Sequence, residues 1–287
     1  MSQEITNFQR AEILTQALPY IQKYYNKVVV VKYGGNAMIN EELKQQVMED
    51  VVLLQLVGVK VVLVHGGGPE ITSTMAKLGK ETQFVNGLRV TDKESAEIAQ
   101  MVLAGKVNKN LANLLQVKGG RAIGLSGIDG GMIYAKMKNP EIGFVGEIND
   151  VDIEPIETLL QHNYIPVVST VGCDSEGNVY NINADTAASA IAAALSAERL
   201  LELTDIEGIL RDKDDPTSRI TNVSVDEARV LLKDGTISGG MIPKVEGCIE
   251  AIEKGVKTVV IMDGRVPHSI LIEMLTDEGA GSMIYGN

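Results

Sequence analysis

The run Val28-Val29-Val30-Val31-Lys32-Tyr33-Gly34-Gly35-Asn36 decides the fold. Four β-branched residues in succession leave no polar face, so the strand they form is covered on both sides. The next segment, Glu41 to Val57, carries Leu43, Val47, Val51 and Leu54 at helical spacing. Val59 to His65 is a second apolar strand, and Gly66-Gly67-Gly68 hands it over to a helix that opens at Pro69. Proline is harmless there, because the first turn of a helix has no partner for its N–H.

The same alternation continues to the end of the chain. Ile165 to Thr170, Leu200 to Thr204 and Lys257 to Met262 are further strands of the covered kind, and Ser282 to Tyr285 is the last. Ala184 to Ser196 is a helix made almost wholly of small residues, with Asn183 or Asp185 as its cap. Two stretches break the pattern. Asn86-Gly87 marks a hairpin between Thr82 and Val90, placed near the edge of the sheet. Gly127 to Ile148 reads as antiparallel ribbon. The expected fold is α/β: a three-layer αβα sandwich around a mostly parallel open sheet.

Residues 1–26 form a separate N-terminal unit, an amphipathic helix over roughly Glu12 to Tyr25 with Ile13, Leu14, Ala17, Leu18 and Ile21 on one side. The turn-rich stretch Asp174 to Asn178 is the expected seam between an N-terminal lobe, 27–176, and a C-terminal lobe, 177–287, on one continuous sheet.

Composition narrows the function. The chain of 287 residues carries a net charge of −12, the wrong sign for a nucleic-acid binder. No apolar run reaches the length of a membrane span. The start lacks the basic-then-apolar order of a signal peptide. Two cysteines far apart, Cys173 and Cys248, fit free thiols in a reducing, cytoplasmic compartment. The scattered histidines and cysteines show no metal-ligand spacing.

The glycine loops Gly34-Gly35 and Gly66-Gly67-Gly68 lie where strands end and helices begin, the edge at which open α/β sheets bind ligands. Glycines let a phosphate approach the backbone, and a helix N-terminus supplies N–H donors and a favourable dipole. Ser238-Gly239-Gly240, ahead of Pro243 and Lys244, is a third such loop. Neither a Walker pattern nor a G-x-G-x-x-G fingerprint occurs, so a nucleotide would use another cradle.

The motifs Val28-Val-Val-Val-Lys32-Tyr-Gly-Gly35-Asn36-Ala-Met38, His65-Gly-Gly-Gly-Pro69, Asn86-Gly-Leu-Arg89-Val-Thr91, Asn181-Ile-Asn183-Ala-Asp185, Leu203-Thr-Asp205-Ile-Glu-Gly208 and Gly239-Gly-Met-Ile-Pro-Lys244 occur in this order across nearly the whole chain. Together they resemble the amino acid kinase superfamily and, within it, the N-acetyl-L-glutamate kinases. The resemblance implies the amino acid kinase fold, with an extra N-terminal helix, and ATP with Mg²⁺ as phosphoryl source. It implies that Lys32 and Lys244 stabilise charge on the phosphoryl group in transfer and that Asp185 positions them. Gly67, Gly68, Arg89 and Asn181 are similar to the contacts of the acyl-amino-acid; Gly34, Gly35, Thr204, Asp205, Gly239 and Gly240 to those of the nucleotide.

The chemistry asks for such residues. A carboxylate is already ionised at neutral pH and needs no general base. Phosphoryl transfer needs in-line positioning and cationic or N–H groups around the phosphoryl oxygens. A carboxylate between two lysines offsets their repulsion. Arg89 can grip a carboxylate with two parallel hydrogen bonds; taken alone it reads as a surface arginine paired with Asp92, and only its motif reverses that preference. His65 reads as a structural hydrogen-bonding residue.

The ends of the chain also resemble the arginine-sensitive members, which are hexamers built as trimers of dimers through interlaced N-terminal helices. Gly264-Arg-Val-Pro-His268-Ser and Thr276-Asp-Glu278-Gly279-Ala-Gly281-Ser-Met carry that likeness. It implies an arginine site that includes His268, Glu278 and Gly279. The same pattern leaves two other readings: a kinase for N-acetylated α-aminoadipate, one methylene longer and worth only about 1–3 kcal/mol in discrimination, or an amino-acid sensor without catalysis.

Overall fold

Val29 to Tyr33 are all buried, as a strand with helices on both faces requires. In the computed structural model, which describes residues 6–212 and 214–286, this strand is central. Helices α1 (Asn7–Gln16) and α2 (Leu18–Tyr24) precede it, and β1 (Val28–Tyr33) leads to α3 (Glu41–Leu56), β2 (Lys60–His65) and α4 (Gly68–Lys77). The short strands β3 (Phe84–Val85) and β4 (Leu88–Arg89) are followed by α5 (Lys93–Gln100), a π-helical stretch Met101–Val107 and α6 (Asn108–Val117). Next come β5 (Ala122–Ser126), β6 (Ile133–Asn139), β7 (Gly143–Val151), α7 (Glu154–Gln161), β8 (Ile165–Ser169), β9 (Val171–Cys173) and β10 (Val179–Asn181). The chain closes with α8 (Ala184–Ala194), β11 (Arg199–Thr204), β12 (Asn222–Ser224), α9 (Val225–Lys233), α10 (Met241–Glu253), β13 (Thr258–Asp263), α11 (Ser269–Leu275) and β14 (Gly281–Tyr285).

Eight strands form the main sheet in the order β12-β14-β13-β11-β1-β2-β8-β5. β1 pairs in parallel with both β11 and β2, and only at the β13–β14 step does the direction reverse. Alternate residues of β1 feed two separate cores. Val29 and Val31 join Met48, Val51 and Leu54 of α3 and Leu115 of α6. Val30 joins Ala187, Ala188 and Ile191 of α8 and Val245 and Ile249 of α10. Each fully buried Val, Leu or Ile contributes about 1.5–3 kcal/mol. This is the expected three-layer sandwich.

The ribbon over Gly127 to Ile148 is present as antiparallel β6 and β7, but they close with β9 and β10 into a small four-stranded barrel. The stretch Asp174 to Asn178 is the turn of the β9–β10 hairpin, where Asp174 Oδ1 accepts from the N–H groups of Glu176 and Asn178 at 2.9 Å each. The Asn86-Gly87 hairpin is β3–β4, a two-stranded unit of its own rather than part of the main sheet. Both turn residues have positive φ, 48° and 78°, as a tight two-residue turn between twisted strands demands.

The N-terminal segment differs from expectation. It is two helices, not one, and the second begins next to Pro19, which cannot donate a helical hydrogen bond. The expected apolar stripe is mostly uncovered: α1 buries no residue and Ile13, Leu14 and Leu18 are exposed, whereas Ala17 and Ile21 are half-buried. Tyr24 alone of the two helices is buried.

Candidate active site

The centre of the site is Asp185, in the first turn of α8. It is not the cap of that helix; Asn183 is, accepting from the Thr186 N–H at 3.0 Å. That leaves the Asp185 carboxylate to other partners. Lys32, at the end of β1, places Nζ 2.8 Å from Asp185 Oδ1, and Lys244, in the first turns of α10, places Nζ 3.2 Å from Oδ2. The Lys32 ammonium also donates to the Leu203 carbonyl at 3.4 Å. Burial alone would raise the Asp185 pKa, but the charges of Lys32 and Lys244 outweigh it and hold the carboxyl below its ordinary range. For Lys244 burial likewise pulls against charge: Asp185 and Glu202 win, and its pKa rises.

The glycine loops close around this trio. A Cβ added to Gly34 would stand 3.1 Å from Lys32 Nζ, and one on Gly66 3.2 Å from the Ala184 side chain. Gly35 is required by its backbone: it has φ +69° and lies against the Asp205 carboxylate, 2.9 Å from where a Cβ would sit. At Gly67 a Cβ would meet the Leu103 side chain at 2.7 Å and force it to shift. Leu103 belongs to the π-helical stretch, an irregularity common at functional sites.

His65 is a structural residue, as expected. It is fully buried, and burial lowers its pKa to about 4, so the ring is neutral at working pH. Nδ1 lies 2.8 Å from the Gly66 carbonyl and Nε2 3.0 Å from Asn108 Nδ2. Asn108 is a donor at that contact, so Nε2 accepts and Nδ1–H donates to Gly66. Holding that carbonyl fixes the Gly66–Gly67 peptide, whose N–H points the opposite way in a trans bond.

Arg89, on β4, is 6% exposed, so it is not a surface residue. Its guanidinium donates to the Gly68 carbonyl and to Thr72 Oγ1, each at 2.9 Å, and stacks over Phe84 at 4.8 Å. Asp92, the alternative partner, pairs with Lys80 at 2.8 Å and caps α5. Among the described residues no carboxylate forms an ion pair with Arg89, and burial lowers its pKa. A buried cation of that kind favours an anionic ligand.

The remaining expected contacts lie at the ends of separate elements. Asn181 ends β10, two residues before the α8 cap. Thr204 ends β11, its hydroxyl turned inward on Ile206 and Met262. Gly239 and Gly240 are exposed in the turn that starts α10, the helix that delivers Lys244.

His268, Glu278 and Gly279 are not part of this trio. His268 has φ +56° and its Nδ1 is 2.6 Å from the buried Asp50 Oδ1. Gly279 lies against Glu273, which pairs with Arg199 at 2.7 Å. Arg199 begins β11, whereas Thr204, near the trio, ends it. Tyr20 of α2 donates to Asp277, and Arg199 stacks on Tyr24, so α2 is fastened to this C-terminal segment.

Two features were missed in the sequence. Arg265 grips Asp263 through Nε and Nη2 at 2.9 and 2.8 Å just beyond β13, with Asp205 and Glu207 close enough to act on its charge. Glu202 is buried beside Lys32; its signal was a lone charge inside the apolar run Leu200 to Leu203.

With this geometry in place, the comparisons with known proteins agree. The amino acid kinase family matches residues 27–263. The acetylglutamate kinase of Brachyspira hyodysenteriae is 55% identical, covering 99% of both chains, and that of Clostridioides difficile is 54% identical over 97% of this chain and 98% of its own. A solved N-acetylglutamate synthase from Neisseria gonorrhoeae, complexed with coenzyme A and N-acetyl-glutamate, has a TM-score of 0.84 at 24% identity. The alignment covers 96% of this chain and 63% of the synthase, and it speaks for the fold alone. The chain belongs to the amino acid kinase family. It is a kinase of the kind that uses a carboxyl group as phosphoryl acceptor.

Proposed function

We propose that the enzyme transfers the γ-phosphoryl group of ATP to the γ-carboxylate of N-acetyl-L-glutamate, giving ADP and N-acetyl-L-glutamyl 5-phosphate, in cytoplasmic arginine biosynthesis. The observation that carries this reading is the pair of lysines on one carboxylate, Lys32 and Lys244 on Asp185, at the carboxyl edge of the sheet. The same trio speaks against a sensor without catalysis.

In this reading the buried Arg89 holds the α-carboxylate of the substrate, with Gly67, Gly68 and Asn181 around the remainder. Gly34, Gly35, Thr204, Asp205, Gly239 and Gly240 line the nucleotide. The lobe 27–176 contributes most acyl-amino-acid contacts and 177–287 most nucleotide contacts. The γ-carboxylate oxygen attacks the γ-phosphorus, and the bond from that phosphorus to the β–γ bridging oxygen breaks. No proton has to be removed, because the nucleophile is already an anion. Lys32 and Lys244 spread the charge of the three equatorial oxygens, while Asp185 keeps both ammoniums together and charged.

ATP enters as its magnesium complex. The cation would offset part of the charge on the phosphates.

Arginine is the proposed inhibitor, bound where α2 meets the C-terminal segment, with His268, Glu278 and Gly279 in its surroundings. The exposed apolar side of α1 suits a second copy of the chain, and a trimer of dimers would use it. The test of the activity is a hydroxamate assay for acyl phosphate with N-acetylglutamate, N-acetylaminoadipate, glutamate and aspartate as acceptors. Product with N-acetylglutamate is the expected result; product only with another acceptor would overturn the substrate assignment.

A further inference from the structure

β11 reads Arg199-Leu200-Leu201-Glu202-Leu203-Thr204, and every residue of it is buried. Glu202 is 2% exposed, and its Oε2 has no hydrogen-bond partner among the described residues. A carboxyl group in that condition is costly, and an apolar side chain would fill the space without the cost. Its surroundings are those of the active site. Glu202 pairs in register with Lys32 on β1, so both side chains leave the same face of the sheet. The charges of Asp185 on α8 and of Lys244 on α10 both act on it. The buried Cys248 thiol, one turn beyond Lys244, feels both carboxyls. β13 sets apolar Ile261 opposite it.

We propose that Glu202 is a positioning residue that keeps a proton beneath Lys32 and Lys244, so that the site offers net positive charge to the phosphoryl group only while that proton stays. With Glu202 neutral, two ammoniums and the Asp185 carboxylate leave one positive charge; with Glu202 ionised, nothing is left over. Burial first, and then the Asp185 charge, raise the Glu202 pKa to about 7, against the pull of the two lysines. The protonated form therefore prevails below neutrality, and rising pH removes it. Bound phosphates are anionic, so they favour the protonated form and carry the transition to higher pH.

The inference rests on the phosphoryl-transfer reading of the site, and the tests separate the two. The first is the pH dependence of turnover for the full-length enzyme and for Glu202→Gln, which imitates the neutral carboxyl. In the wild type kcat/KM for ATP should descend above about pH 7. The kcat limb should lie at higher pH, because the first reports the free enzyme and the second the complex. If only the protonated form is competent, the slope approaches roughly tenfold per pH unit. Glu202→Gln should flatten both limbs; limbs unchanged in that variant would overturn the proposal. The second test needs no turnover. Infrared difference spectra between the wild type and Glu202→Gln, in which the band of the buried Asp50 cancels, should contain a protonated-carboxyl band at pH 6 that fades above neutrality and is restored by ADP with magnesium. Absence of such a fading band from the difference would overturn the proposal even if the enzyme proves to be the expected kinase.

Discussion

Lys244 Nζ donates to Asp185 Oδ2 at 3.2 Å, from the first turns of α10 to the first turn of α8. Lys32 Nζ occupies the other oxygen of the same carboxylate at 2.8 Å. Asp185 thus holds two cations from opposite ends of the polypeptide at one point. Replacing either lysine by alanine removes one of two stabilisers of the phosphoryl charge. We expect kcat to fall by roughly 10²–10³-fold with modest change in KM, the scale seen when one preorganised donor is lost. Steady-state kinetics of Lys32→Ala and Lys244→Ala check this; full turnover in either variant would remove its assigned role.

Asp185→Asn keeps the shape and removes the counter-charge. Two neighbouring ammoniums then repel across a water-poor gap, so one should lose its proton more easily. The expected signature is a lower kcat together with a second alkaline limb in the kcat profile, one that persists when Glu202→Gln is added.

Arg89→Lys tests geometry rather than charge. A lysine keeps the cation but not the two parallel donors. KM for the acyl-amino-acid should rise roughly 10–100-fold, about the value of one or two charge-assisted hydrogen bonds, with kcat changed much less. Loss of kcat with unchanged KM would place Arg89 in the chemistry instead.

His65 gives a pH-dependent stability. Its folded pKa, about 4, lies below the ordinary value of 6.5. Its contribution is therefore complete above pH 6.5 and is lost as pH falls through 4, because the unfolded chain binds the proton more readily. His65→Leu should lower Tm at pH 8, since the Gly66 carbonyl loses its donor at about 1–3 kcal/mol, whereas Asn108 Nδ2 keeps the Leu125 and Val167 carbonyls. The same variant should lose less on acidification from pH 6.5 to 4 than the wild type does. Thermal melts across that range decide it.

Asp50 and His268 act in the other sense. Burial raises the Asp50 pKa to about 6 although His268 pulls it down. The folded state binds this proton more tightly than the unfolded state, so ionisation of Asp50 costs stability as pH rises through about 6. His268→Ala removes the opposing pull. The resulting drop in Tm should be larger at pH 8 than at pH 5, where Asp50 is protonated. Equal losses at both values would show that the pair matters for shape alone.

The layering was legible because its cause is local. Val28 to Val31 and Val61 to Val64 each show a strand covered on both faces within a few residues, and helical spacing from Leu43 to Leu54 shows the covering layer. The N-terminal segment was misread for the opposite reason. Its apolar residues kept a helical period through Pro19, and period weighs side chains without asking whether the backbone can bond. The glycine loops and both lysines were visible as motifs, yet Glu202 was not, because a single charge in an apolar run has no meaning until its neighbours are known.

By itself, then, the order of residues determined which segments become strands and helices, where the backbone must bend without a side chain, and which groups carry charge. Tertiary structure decided what those charges meet. β11 enters the sheet beside β1, and this pairing sets Glu202 next to Lys32. α8 and α10 cover the same face and bring Asp185 and Lys244 to them. Hydrophobic period reports only what lies on one element, whereas electrostatic coupling depends on distances between elements, which strand order and helix packing fix together.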